Sequence, residues 1–173
     1  YGGADLYDLC QKPENKNEVY IGSVQKGLVA NSEPGLIMMM AAPVYQISPD
    51  EAHPLPTQKF SGVLIFCLDA GQLAKQLVEP IRSGKTGYGW VIDETGNFLY
   101  HLEEKFIGHN AFEARKFRDP HISFDKINVI QKDRMLKGEE GTSWYISGWH
   151  RGETGTIKKL IAFAPVPIGA ANA

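Results

Sequence analysis

The stretch Lys85-Thr-Gly-Tyr-Gly-Trp-Val-Ile-Asp-Glu-Thr-Gly-Asn-Phe-Leu-Tyr-His101 decides the fold. Its first half, Tyr88 to Asp93, alternates Tyr88, Trp90 and Ile92 against Gly89, Val91 and Asp93, the period of a strand. Asp93-Glu94-Thr95-Gly96 has turn chemistry, with Gly96 free to take a positive φ. Asn97 to Leu102 then carries the apolar and aromatic residues of a returning strand, so the stretch predicts a β-hairpin.

Outward from this hairpin the chain reads as alternating strands and helices. Residues 1–18 lack a sustained period and predict a loop or a short helix around Ala4–Cys10. Val19–Val24 and Gly35–Tyr45 read as strands, the second apolar on both faces and ending near Pro43. Pro49, Pro54 and Pro56 make the next segment an exposed connection. Phe60–Leu68 resumes as a strand. A helix follows with Asp69 as N-cap and Gln72 three residues on; Leu73, Ala74, Leu77 and Val78 form its apolar face, and Pro80 with Gly84 ends it.

Beyond the hairpin, Phe106 to Phe117 predicts a loop or short helical piece. Asp119-Pro120 predicts the start of a helix whose apolar face is Phe124, Ile127, Ile130 and Met135, closed by Gly138. A last hairpin runs from Thr142 to Arg151, turns through Gly152–Gly155, and returns from Ile157 to Val166.

Composition bounds the function. The 173 residues, 43 % hydrophobic, suffice for one medium or two small domains. A formal charge of −2 gives no general attraction to nucleic acid. Cys10 and Cys67 belong to no CxxC motif and permit one disulfide without requiring it. His53, His101, His109, His121 and His150 never recur at zinc-ligand spacing, and Met38, Met39 and Met40 suit core packing better than a soft metal. Gly84-Lys85-Thr86 lacks the first glycine of a phosphate-binding loop and opens a strand, and no nucleophile or metalloprotease motif is present. Neither a catalytic group, a cofactor nor a metal is implied. No apolar run approaches the roughly 20 residues of a membrane-spanning helix.

Several segments in one order carry a family resemblance: Val19-Tyr-Ile-Gly-Ser-Val24, Ala42-Pro-Val-Tyr45, Ser61-Gly-Val-Leu64 with its following helix, the Gly84–Gly96 hairpin, and Lys159-Leu-Ile-Ala-Phe-Ala-Pro-Val166. Together they resemble a double Cache domain, the PAS-like extracytoplasmic sensor of bacterial histidine kinases and chemoreceptors. The resemblance implies an α+β fold of PAS-like antiparallel sheets flanked by helices. Residues 1–82 would be the C-terminal part of an incomplete membrane-distal module, and residues 83–173 a membrane-proximal module lacking its last strand. It implies a small-molecule ligand and a membrane-anchored parent, most simply a two-component histidine kinase, with an organic acid as one candidate ligand and a homodimer as one candidate assembly. Two departures, Cys67 where amino-acid sensors commonly have an acidic residue and the absence of an Arg-x-Trp-Tyr element from residues 1–20, argue against an amino-acid ligand.

The ligand-site candidates are Tyr88, Trp90, Tyr100, His101, Tyr145, Trp149 and Arg151. Alternation places Tyr145, Ser147, Trp149 and Arg151 on one strand face, and Trp144, Ile146, Gly148 and His150 on the other. An aromatic wall with a few converging donors suits a small organic anion, Arg151 offering a bidentate grip. The same aromatics equally suit a hydrophobic core.

Overall fold

The computed structural model describes residues 3–28, 34–46, 49, 51–52, 54–55 and 58–167. The chain divides into two compact units, Tyr1–Leu73 and Ala74–Ala173.

The first unit opens with helix α1 (Gly3–Gln11) and holds strands β1 (Tyr20–Ile21), β2 (Gln25–Leu28), β3 (Pro34–Tyr45) and β4 (Phe60–Asp69). β3 is its spine. Antiparallel β1 and β2 share one edge of it, and β4 pairs along the other from Asp69 opposite Ile37 to Phe60 opposite Tyr45. The strand expected over Val19–Val24 shrinks to Tyr20–Ile21, β2 follows beyond it over Gln25–Leu28, and the strand expected to end near Pro43 continues to Tyr45. That extension is allowed because Pro43 interrupts only its own donor in the ladder. A small core gathers Leu6, Cys10 and Ala41, with Tyr20, Met39, Phe60 and Val63 against it. Met38 is likewise buried. Of the proline-dense connection, the described residues between Pro49 and Leu55 are exposed, while Pro56 lies outside the described residues.

Helix α2 (Ala70–Val78) contains the division between the units. It starts where its cap predicts: Asp69 Oδ1 accepts the Gln72 backbone N–H at 2.8 Å. Its expected apolar face is only partly used, since Ala74 is buried but Leu73 and Leu77 are exposed.

The second unit runs β5 (Val91–Ile92), β6 (Phe98–Tyr100), α3 (Ala111–Arg118), α4 (Asp125–Asp133), β7 (Gly141–His150) and β8 (Glu153–Phe163). This is the α+β class, with antiparallel strands and flanking helices. Among the described residues β5–β6 and β7–β8 are separate two-stranded ladders, rather than the single sheet expected. The opening hairpin forms as read: the Gly96 N–H donates to the Asp93 carbonyl, Gly96 has φ +86°, and Asp93 Oδ1 accepts from the Thr95 and Asn97 backbone N–H groups. Its strands are shorter than expected, and on its other edge Phe98 donates to the His109 carbonyl and accepts from the Gly108 N–H.

The helix expected from Asp119-Pro120 begins instead at Asp125, while the short helical piece expected within Phe106–Phe117 is α3, capped by Asn110 accepting from Phe112 N–H. Asp119 spends its carboxylate on a local turn, accepting from His121 N–H, rather than on a cap. The final hairpin turns two residues earlier than expected. Arg151 and Gly152, with φ +47° and +91°, form the two-residue turn between His150 and its partner Glu153. The unit's core joins Phe98, Phe106, Ala111, Ala114, Phe124, Ile127, Ile130, Trp149, Ile161 and Phe163.

Candidate functional site

The second unit encloses a narrow cavity between the segment leading into β5, the end of β6, helix α3 and the β7–β8 hairpin. Tyr88, Trp90, Phe98, His101, Phe106, Arg115, Phe124, Tyr145, Ser147, Trp149 and Lys159 line it. The walls close it down to a volume of about 10 Å³, the room of one water molecule.

Each wall follows from local structure. Tyr145, Ser147 and Trp149 reach the cavity from one face of β7, as alternation requires. The ladder is irregular between Ser147 and Trp149, so Gly148 has no register partner; a Cβ there would stand 2.1 Å from Asp119 Oδ2. Trp144, on the opposite face, is 39 % exposed beneath the Lys126 and Lys158 ammonium groups. Phe98 and Phe106 stack at 5.7 Å, with Trp90 edge-on to Phe98 at 5.6 Å and Trp149 edge-on to Phe106 at 5.6 Å.

His101 leaves β6 buried, 4.9 Å from both the Phe98 and Phe106 rings and 5.6 Å from Tyr88. Its Nδ1 accepts the Glu103 backbone N–H at 2.9 Å, which puts the ring proton on Nε2. Burial pushes its pKa down to about 3, helped by the positive charges of Lys159 and Arg115, so the imidazole is neutral. Burial raises the Tyr88 and Tyr145 phenols above their usual range.

Two cations enter this aromatic setting. Arg115, on the buried face of α3, is 5 % exposed, with its guanidinium 5.8 Å from the Trp90 ring and 5.6 Å from Phe98. Its hydrogen-bond partner is the neutral Asn128 Oδ1 at 3.4 Å, and burial lowers its pKa to about 10. Lys159 projects from β8, its Nζ donating to the Tyr88 hydroxyl at 3.3 Å and lying 5.5 Å from the Tyr88 and Trp149 rings. Burial lowers its pKa to about 8.

Of the seven sequence candidates, Tyr88, Trp90, His101, Tyr145 and Trp149 come together here. Tyr100 is buried on β6 opposite Val91 and does not line the cavity. Arg151 sits in the hairpin turn, its Nε donating to the Thr86 carbonyl at 2.8 Å and its guanidinium 5.9 Å from the centre of the Tyr88 ring. The sequence reading missed Arg115 and Lys159. Both carried a signal: Ala111, Ala114 and Arg115 share one face of α3 at i, i+3, i+4, and Lys159 alternates with Ile157 and Ile161 on β8. A wider depression of about 440 Å³ between α3 and α4, lined by Phe112, Lys116, His121 and Asn128 among others, is open to solvent and gathers no comparable set of buried donors. Among the described residues no cluster of His, Cys, Asp and Glu could hold a metal, and no helix is long and apolar enough to cross a membrane.

No protein-family profile and no curated protein matches the sequence. Among solved structures, the chain is similar to the ligand-binding domain of the amino acid chemoreceptor PctC of Pseudomonas aeruginosa PAO1 in complex with GABA. The two are 13 % identical over 90 % of this chain, with a TM-score of 0.41. The chain spans 58 % of the length of that one.

Proposed function

We propose that this chain is an extracytoplasmic ligand-sensing region of a bacterial transmembrane signal-transduction receptor, of the Cache type, with a two-component histidine kinase as parent. The observation that carries the reading is the cavity of the second unit, where hydroxyl, imidazole, guanidinium and ammonium groups from four chain segments converge on an aromatic wall. Such a cavity, closed down to the room of one water, binds by widening, and a ligand that favours the wider form shifts the packing of α3 against the β7–β8 hairpin. In this reading residues 83–173 are the sensing module and residues 1–82 belong to a second, membrane-distal one. A thermal-shift screen of the chain against small organic acids, amines and sugars tests it. Saturable stabilisation by one class supports sensing, and the absence of any stabilising compound removes it.

A second reading is a ligand-free dimerisation module of a chemoreceptor or cyclase receptor. It is favoured by β4, whose Leu64, Ile65 and Phe66 are 51 %, 44 % and 58 % exposed on a strand paired at one edge only among the described residues. Multi-angle light scattering over a concentration series tests it: this reading requires concentration-dependent dimers without any compound bound, and a chain that stays monomeric at every concentration excludes it.

A further inference from the structure

A guanidinium buried as deeply as that of Arg115 ordinarily faces a carboxylate, because taking an unpaired charge out of water is costly. Here it faces Asn128 and two aromatic rings. Lys159, the second cation on the cavity, has a phenol as its hydrogen-bond partner. No Asp or Glu lines the cavity. The acidic group nearest in influence, Glu103, lies beside Lys105 at 3.7 Å and Arg118 at 4.0 Å. A third donor, the Trp149 indole N–H, is buried on the same wall with no partner among the described residues. His101 adds a neutral N–H, since its other nitrogen is already occupied by Glu103 N–H.

The cavity therefore has positive charge and spare donors with no anion to receive them. We infer that it takes a small carboxylate, with Arg115 and Lys159 holding the anionic end, the Trp149 N–H donating beside them, and the aromatic walls enclosing a short carbon chain. The inference rests on the ligand-sensing reading and names the class of ligand. A carboxylate fits better than a bare inorganic oxyanion because a planar guanidinium meets it with two parallel N–H donors, and because Trp90, Phe98 and Phe106 offer the remainder of the space to carbon. The head group exceeds the room of one water, so occupation requires the walls to part.

The test is calorimetric titration of the chain with acetate, propionate, butyrate and lactate, with their amides, with propylamine and with inorganic phosphate. At least one carboxylate should bind saturably and its amide roughly 30-fold more weakly, the scale of a lost charge-assisted hydrogen bond. Arg115→Gln should weaken that acid by about 30-fold and Lys159→Gln by about 10-fold, with the ligand-free melting temperature held or raised because an unpaired buried charge has gone. Should Arg115→Gln fail to fold, the indole N–H resonances of the unaltered chain decide: titration with the acid should move that of Trp149 and leave that of exposed Trp144 in place. Equal binding of acid and amide, preference for propylamine or phosphate, or acid binding undiminished in both variants overturns the inference while the sensing reading stands. Failure of every organic acid, amine and sugar to bind removes the sensing reading itself.

Discussion

Acidification should destabilise the second unit through His101. In the folded state its imidazole has pKa of about 3, from burial first and then from the Lys159 and Arg115 charges, against an ordinary value of 6.5. Between these values the unfolded chain binds a proton that the folded chain excludes, so stability is whole above pH 6.5 and is lost as pH falls toward 3. Each pH unit in that window costs up to about 1.4 kcal/mol, which makes the loss from pH 7 to 5 about 2 kcal/mol and from pH 7 to 4 about 3 kcal/mol. All three tryptophans, Trp90, Trp144 and Trp149, lie in the second unit, so urea unfolding followed by tryptophan fluorescence reports on it alone. The partner experiment is His101→Asn, whose side-chain oxygen can still accept from Glu103 N–H but which does not titrate. That variant loses ring contacts with Phe98 and Phe106 and should be weaker at pH 7. Its fall in stability from pH 7 to 5 should be smaller than that of the unaltered chain by about 2 kcal/mol. Equal falls in the two proteins would refute the reasoning, and would mean that the imidazole reaches solvent or titrates near its ordinary value.

Gly148→Ala places a methyl 2.1 Å from Asp119 Oδ2 and should destabilise the second unit by about 1–3 kcal/mol in the same urea assay, with part of the loss recovered in the double variant with Asp119→Ala. Asp69→Ala removes the acceptor for Gln72 N–H and should cost about 1 kcal/mol of α2, read as a lower melting temperature by circular dichroism. Lys159, lowered by burial to about 8 from 10.5, makes the ligand-free second unit gain stability as pH rises from 8 toward 10.5, because the unfolded chain keeps the proton that the folded one sheds. Urea midpoints across that range should rise in the unaltered chain and flatten in Lys159→Met.

What could be read in the sequence was local. The Asp69 cap, the Asp93–Gly96 turn and the strand faces of β7 each depend on residues within a few positions of one another, and each forms as the residues dictate. The departures are places where a side chain or backbone meets a group that its expected element does not supply. Asp119 looks like a helix cap, but it closes only a local turn to His121 N–H with its other oxygen over Gly148, and the strand from Asn97 is reduced to Phe98–Tyr100, where segment 107–109 takes the Phe98 backbone bonds. Arg151, at a hairpin tip, reads as the cation of the site; the two-residue turn puts it at φ +47°, with its Nε on the Thr86 carbonyl and its guanidinium 5.9 Å from the Tyr88 ring. The cations on the cavity, Arg115 and Lys159, were hidden by the general expectation that such residues are solvated, although their spacing among alanines and isoleucines already assigns them to buried faces.

The same two cations tie ligand charge to proton uptake, which gives the carboxylate assignment a thermodynamic consequence. In the ligand-free chain Lys159 sits at about 8 because burial and the Arg115 charge disfavour its ammonium form, with Glu103 opposing them. A carboxylate held against it favours that form and must raise its pKa. At pH 8, where the free chain carries the proton on about half of its Lys159 side chains, binding should therefore draw in up to about half a proton per ligand; at pH 6, where Lys159 is already charged and His101 stays neutral, uptake should fall toward zero. Titrations with the tightest carboxylate in two buffers of different ionisation enthalpy measure this directly. Proton release at pH 8, or uptake unchanged between pH 6 and 8, would mean that the acid is bound somewhere other than beside Lys159. A neutral ligand in the same cavity would only add to the burial of the ammonium and push protons off, so the sign of the exchange distinguishes the two chemistries without knowledge of the ligand's pose.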